Sequence, residues 1–203
     1  MEKRFELLAC ALALGAFLAV PAESDGQVSL EMYPERTGAK AGAGEDPLRV
    51  TFRGNVAAAG AGVALPAADL AGLAPHQAHV VGYIDALARG SREEIASFWS
   101  PSEREVIGAR LEGDALRKVQ SYHRRVSKLT FLGEVSYGPY VLVLVRMDLA
   151  GRPLYRSYPL KPEGRSFYLT DELARDHFFS GLSRALAEGL GAGSVKVLEA
   201  GRP

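Results

Sequence analysis

The sequence predicts an α+β fold: helices packed on an antiparallel meander sheet, with a strand pair before them and a further helix after. Three observations carry this. Between residues 75 and 126, apolar side chains recur every three or four positions, the helical period. From Leu129 onward the period drops to two, the strand period. Short turn signals (Tyr137-Gly-Pro139, Ala150-Gly-Arg-Pro153 and Lys161-Pro-Glu-Gly164) then cut the second stretch into neighbours joined by hairpins.

Taken in order, Val28-Ser-Leu-Glu-Met32 and Leu48-Arg-Val-Thr-Phe52 each alternate apolar with polar, as half-buried strands do. A small-residue loop, 37–45, separates them, and 55–73 is dominated by Ala and Gly and reads as a linker or loosely held flap. Residues 23–74 thus form an N-terminal appendage, either a hairpin laid on the main domain or an extended arm for a partner. Pro75 suits a first helical turn. Val80, Val81, Ile84, Leu87 and Ala88 make one stripe, which Gly90 closes. Ser91-Arg-Glu-Glu94 is a capping box opening a short helix that carries Ile95, Phe98 and Trp99 to Pro101. Val106, Ile107 and Leu111 mark another turn or two. Asp114 caps a helix with the stripe Leu116, Val119, His123 and Val126.

Leu129, Phe131, Gly133 and Val135 begin the meander. Residues 140–149 form its strongest strand, apolar on both faces and so expected to be central and covered on both sides. Strands at 154–160 and 166–170 follow, with Lys161-Pro-Glu-Gly164 read as a type I turn. From Asp171 a helix with Phe179, Leu182, Leu186 and Leu190 on one face is predicted, weakened by Gly181 and Gly189. A last short strand is expected within 194–199.

The start of the chain has the layout of a secretory signal peptide: charged Met1-Glu-Lys-Arg4, an apolar run of 14 residues from Leu7 to Val20, and small residues before a cleavage point after Ala22. The run is short of the roughly 20 residues a spanning helix needs. Leu7-Leu8-Ala9-Cys10 resembles a lipobox, but most of the apolar run lies after Cys10, which disfavours a lipid-modified cysteine. A periplasmic or secreted protein is expected, without a stable membrane span after cleavage. Removing 22 of 203 residues leaves 181, enough to bury a core in one domain. Cys10 is the only cysteine, so the mature chain has no disulfide, thiolate metal site or thiol nucleophile. With 24 basic and 24 acidic residues and no long charge block, the chain lacks the field that nucleic-acid binding uses.

Helix, short helix, further helix and then a meander is the order seen in the NTF2-like (cystatin-like cone) superfamily. Residues 83–95 (Tyr83-Ile-Asp-Ala-Leu-Ala-Arg-Gly-Ser-Arg-Glu-Glu-Ile95) resemble that family's opening helix, break and second helix. The strands 141–149 and 154–160, with Glu163-Gly-Arg-Ser-Phe-Tyr-Leu169, resemble its later strands. The resemblance covers about 76–172, which it implies is an NTF2-like domain, and leaves 173–203 as a C-terminal helix and tail. It implies a sheet curved around the helices into a cone. Such cones serve some isomerases and dehydratases with Asp, His or Tyr inside, and elsewhere bind ligands or partner proteins, so fold does not choose the function.

Individual residues point weakly to chemistry. His76 and His79 form an H-x-x-H without a third ligand, so no metal is expected. His123 lies on a helix stripe beside Tyr122 and is the one acid–base candidate, against the reading of a satisfied core histidine. Arg146, Arg156 and Tyr158 share number parity in the meander and, with Tyr122, are the residues expected to line a pocket for an anionic ligand. Asp176-His177 are adjacent and point about 100° apart on a helix, so they make no dyad. There is no P-loop, G-x-G-x-x-G or G-x-S-x-G, and no cofactor is implied. The expectation is an exported non-catalytic binding or protein-interaction module, its partner a protein or a small apolar or anionic ligand. The alternatives are a small lyase or isomerase using His123, and an envelope structural protein offering 28–52 as an added strand.

Overall fold

The structure is a computed structural model that describes residues 26–32, 48–56, 62–164, 166–191 and 196–198. The expected signal peptide with Cys10 and Ala22, the loop at 37–45 and the chain end lie outside the described residues. Among the described residues the chain is α+β, with one antiparallel sheet and five helices.

Two strands open the chain, β1 (Gly26–Met32) and β2 (Leu48–Val56), paired with Val28 opposite Phe52. Then come β3 (Gly62–Ala64), α1 (Pro75–Arg89), α2 (Arg92–Ser97), α3 (Arg104–Arg110) and α4 (Asp114–His123). The meander is β4 (Val126–Tyr137), β5 (Tyr140–Leu149), β6 (Arg152–Glu163) and β7 (Ser166–Leu169), and α5 (His177–Gly191) and β8 (Lys196–Leu198) complete it. The strand order is β7-β6-β5-β4-β2-β1-β8, with β3 also beside β4. The strand pair therefore extends the sheet edge-on: Gly54–Val56 pair with Gly133–Val135 of β4, and β1 has a strand on each side. Part of the stretch read as linker is β3, which lies against Lys128–Thr130.

β5 is the centre. Its odd-numbered residues Val143, Val145 and Met147 pack under α1, and its even-numbered Leu142 and Leu144 pack under α5. The sheet is thus covered on both faces, as the two-sided apolar pattern of β5 requires. α1 buries Val80, Val81, Ile84, Leu87 and Ala88, the predicted stripe. α2 is opened by Ser91, whose Oγ accepts from the Glu94 N–H at 3.1 Å. α4 is the loosest helix: none of its residues is fully buried, Leu116 and Val119 only lean on the α2–α3 cluster, and Val126 already belongs to β4.

Two details depart from simple strand alternation. The register of β4 against β5 slips between Phe131 and Gly133, a β-bulge. Strict alternation would put Leu129, Phe131 and Val135 on one face. The bulge leaves Leu129 and Phe131 under α1, turns Val135 toward α5, and turns Glu134, opposite Val143, to the α1 side. β6 also runs through Lys161, Pro162 and Glu163, and the chain turns at Gly164 (φ 63°) rather than in the predicted four-residue turn. The β5–β6 hairpin closes with two residues, Ala150 (φ 48°) and Gly151 (φ 79°), both left-handed as a type I′ turn demands.

Candidate functional site

The space between α1 and the sheet is filled by aromatic side chains. Tyr83 of α1 stands tilted against Phe98 and edge-on to Trp99 and Tyr158, with ring centroids 5.8, 5.9 and 6.2 Å away. Phe98 and Trp99 follow α2 directly, and the backbone there is tied to β7: the Leu169 N–H donates to the Phe98 carbonyl and the Ser100 N–H to the Leu169 carbonyl. Tyr158 is enclosed, and its hydroxyl faces Met147 Sδ at 3.6 Å. Burial raises both phenols. Tyr83 reaches about 12, contact with Trp99 offsetting part of the rise and the Asp171 charge adding to it. Tyr158 goes higher, with Tyr83 adding to the burial effect.

His79 completes this group. Its ring lies 5.1 Å from Phe98, and Nε2 is 2.9 Å from the Phe98 carbonyl, which can only accept, so the proton sits on Nε2. Burial lowers the pKa of His79, and the bond to the carbonyl offsets this only in part. His76, one turn earlier, is directed elsewhere: its Nε2 is 2.5 Å from Glu134 Oε1, and Gln77 Nε2 donates to the same oxygen at 2.8 Å. Burial alone would raise the Glu134 carboxyl. His76 and Gln77 outweigh that and hold it below its ordinary value. The H-x-x-H pair thus divides between two partners, which is not how one metal would be held. Among the described residues no group of three or more His, Cys, Asp or Glu is placed to hold a metal ion.

The predicted pocket residues do not come together as one set. Residues of β5 and β6 pair with Val145 opposite Arg156 and Arg146 opposite Tyr155. Across this hairpin, equal number parity means opposite faces. Arg156 and Tyr158 face the α1 side, and Arg146 faces the α5 side, paired with Asp148 (Nη2 to Oδ2 3.4 Å). This corrects the expectation of a shared Arg146–Arg156–Tyr158 face. Tyr122 is partly exposed at the end of α4, its ring edge-on to His123 at 5.0 Å.

His123 is the last residue of α4. Its Nδ1 is 2.9 Å from the Val119 carbonyl, so Nδ1 carries the proton and Nε2 remains an acceptor. Burial lowers its pKa, the Val119 bond works against this, and the Arg156 charge adds to the lowering. His123 borders a cavity of about 140 Å³ with Pro66, Ile84, Asp85, Arg89 and Arg124. Asp85 is ion-paired with Arg89, and Arg124 Nε donates to the Ala88 carbonyl at 3.0 Å. Asp176, from the Asp176–His177 pair, caps α5: its Oδ1 accepts from the Phe179 N–H at 3.0 Å, and Tyr137 Oη donates to Oδ2 at 3.2 Å. The His177 side chain lies outside the described residues.

Sequence reasoning missed Tyr83 and Glu134. Tyr83 was visible as an aromatic at the edge of the α1 stripe. Glu134 had no such signal, because only the bulge turns it inward.

No helix among the described residues is long and apolar enough to cross a membrane. Compared with protein-family models, curated proteins and solved structures, the chain matches none.

Proposed function

We propose that this chain is an exported, non-catalytic binding or protein-interaction module with an NTF2-like core. The observation that carries this is the filled interior. Where a cone of that type would hold a ligand, Tyr83 packs against Phe98, Trp99 and Tyr158. Contact surfaces on such a protein lie outside the cone. The order of three short helices after α1, then an antiparallel meander, supports the NTF2-like reading. The charged start and 14-residue apolar run support export through a leader cleaved after Ala22.

A second reading, a small lyase or isomerase, is favoured by one feature: His123 keeps an acceptor nitrogen, is pushed toward its neutral form by burial, and borders a cavity with Asp85. The envelope-structural reading is weaker, because β1 already has a partner strand on both edges.

The test is an assay of wild type and His123→Ala on steroid- and polyketide-type ligands, with thermal unfolding in parallel. The proposed reading expects no turnover from either protein. Turnover by wild type, lost in a normally folded His123→Ala, would overturn it.

A further inference from the structure

β6 has a stretch of open edge. β7 pairs with it over Leu160–Glu163, so among the described residues no strand lies on the outer edge of Arg152–Pro159. What that edge offers follows from the neighbouring strands. The Leu169 N–H donates to the Phe98 carbonyl and its C=O accepts from the Ser100 N–H, so Leu169 turns its backbone groups away from β6. The hydrogen-bonded pairs of β6 with β7 are therefore Lys161–Tyr168 and Glu163–Ser166. On the other side, the two-residue loop Ala150–Gly151 makes Leu149–Arg152 a hydrogen-bonded pair of β5 with β6. Both observations give one alternation. Even-numbered residues of β6 turn their N–H and C=O groups to β5, and odd-numbered ones turn theirs outward. At the open edge the outward residues are Pro153, Tyr155, Ser157 and Pro159. Proline has no N–H, so the edge offers two donors, from Tyr155 and Ser157. The prolines stop strand addition from running on along the edge and leave a short window between them.

A pocket of about 210 Å³ lies at this window, between α5 and residues 155–157, and is bordered by Leu173, Phe179, Ser180 and Arg184. The Tyr155 and Ser157 side chains face α5, while Arg156, like Arg152, faces the α1 side. The charge around the window is one-sided. No Asp or Glu lines the pocket. Arg89, Arg92, Arg110, Arg117 and Arg146 are each ion-paired, but among the described residues Arg152, Arg156 and Arg184 are not. Arg156 Nη1 donates to the outward Tyr155 carbonyl at 3.2 Å, which brings its guanidinium to the edge itself.

We propose that the Tyr155–Ser157 window takes up a short, extended, acidic peptide of a partner protein as an added antiparallel strand. The peptide exchanges backbone hydrogen bonds with Tyr155 and Ser157. Its residues opposite these two face α5, where Leu173 and Phe179 receive apolar side chains. Its alternate residues face the α1 side, where Arg152 and Arg156 pair with carboxylates, and Arg184 adds positive charge at the rim of the pocket. A second copy of this chain fits the edge poorly, because pairing β6 with β6 would set Arg152 and Arg156 of each copy against those of the other. The inference rests on the reading of the chain as an interaction module and names the surface it uses.

The experiment is fluorescence anisotropy of a labelled, end-blocked peptide of alternating Val and Glu, titrated with the full chain. One control peptide has Lys in place of Glu. Another is N-methylated at every Val, which removes the N–H groups that face β6. Wild type is compared with Ser157→Pro, which deletes one edge donor, and with the double variant Arg156→Glu, Arg184→Glu. Thermal unfolding checks the fold of each. The expected result is saturable binding of the Val–Glu peptide alone, weakened about tenfold or more by Ser157→Pro and by the double variant at unchanged unfolding temperature. If Ser157→Pro does not fold, the double variant and the N-methylated peptide carry the test. No saturable binding, equal binding of either control peptide, or equal binding by a folded Ser157→Pro or by the double variant overturns the proposal. So does a dimer in sedimentation that Ser157→Pro dissolves, since a second copy then holds the edge. Failure here with no turnover in the His123 assay leaves an interaction module without this surface, and turnover there strikes that reading while leaving the measured peptide binding intact.

Discussion

Under α1, β5 presents Val143, Val145 and Met147, and the layer above them is largely aromatic with polar handles: Tyr83, Trp99, Tyr158 and His79. Under α5, β5 presents Leu142 and Leu144, and the layer above them is Leu182, Ala185, Leu186 and Phe179, almost without polar atoms. The first side keeps its polar groups inside: His79 bonds the Phe98 carbonyl and the Tyr158 hydroxyl faces Met147 Sδ. The second side keeps them at the rim, where Ser180 and Arg184 meet solvent. The comparison teaches where a ligand can act. On the α1 side it must displace packed rings, each contributing about 0.5–1.5 kcal/mol beyond the area it buries. On the α5 side it reaches donors without unpacking anything.

The largest effects come from removing core volume on each side in turn. Ile84→Ala and Leu182→Ala both empty fully buried positions, and each should cost about 2–5 kcal/mol in denaturant unfolding. Equal costs mean one core shared by two layers. A cost under about 1 kcal/mol for Leu182→Ala would make α5 a loosely docked tail. Next comes Gly191→Ala. A Cβ at Gly191 would fall 2.0 Å from the Tyr155 ring, so α5 must shift on β6, at about 1–3 kcal/mol. The same change at Gly113, where nothing lies within 4 Å, strains only a backbone at φ 59°. The helix caps are smaller and should match across the two sides. Ser91→Ala and Asp176→Ala each remove a side-chain acceptor from a helix N-terminus, for about 1 kcal/mol apiece in thermal unfolding.

The last difference appears only on acidification. His79 and His123 have folded pKa values below the usual 6.5, so the unfolded chain takes up protons first as pH falls. Their contribution is complete above pH 6.5 and declines as pH falls from there toward the lowered folded values. Glu134, also depressed, contributes above 4.5 and loses that contribution as pH falls through its folded pKa. Unfolding temperatures should therefore fall in two windows, the upper one flattened by His79→Gln and the lower one by Glu134→Gln. An unchanged pH profile in either variant would remove that residue from the account.

Much of this was legible in the chain. The α1 stripe, the Ser91 cap, the central position of β5 and the α5 face all follow from period and capping chemistry, because each depends only on local sequence. Two features of the site did not follow. The face of Glu134 depends on a bulge, which adds one unpaired residue and leaves no compositional trace. The separation of Arg146 from Arg156 depends on the length of the Ala150–Gly151 loop. Two loop residues pair Leu149 with Arg152, so numbers of equal parity fall on opposite faces. A loop one residue longer, with pairing kept to its ends, would have put them together. Strand pairing is set by turn length, and the Ala150-Gly-Arg-Pro153 signal left that length open.

The filled interior can be tested with a reporter already in place. Trp99 is the only tryptophan and lies against Tyr83. Flat apolar molecules of steroid or polyketide type are titrated into the protein while Trp99 emission is recorded. If the rings fill the space between α1 and the sheet, the emission stays constant to the solubility limit of each molecule. A saturable change in Trp99 emission at one ligand per chain would mean the rings part to admit a guest, and would contradict the account.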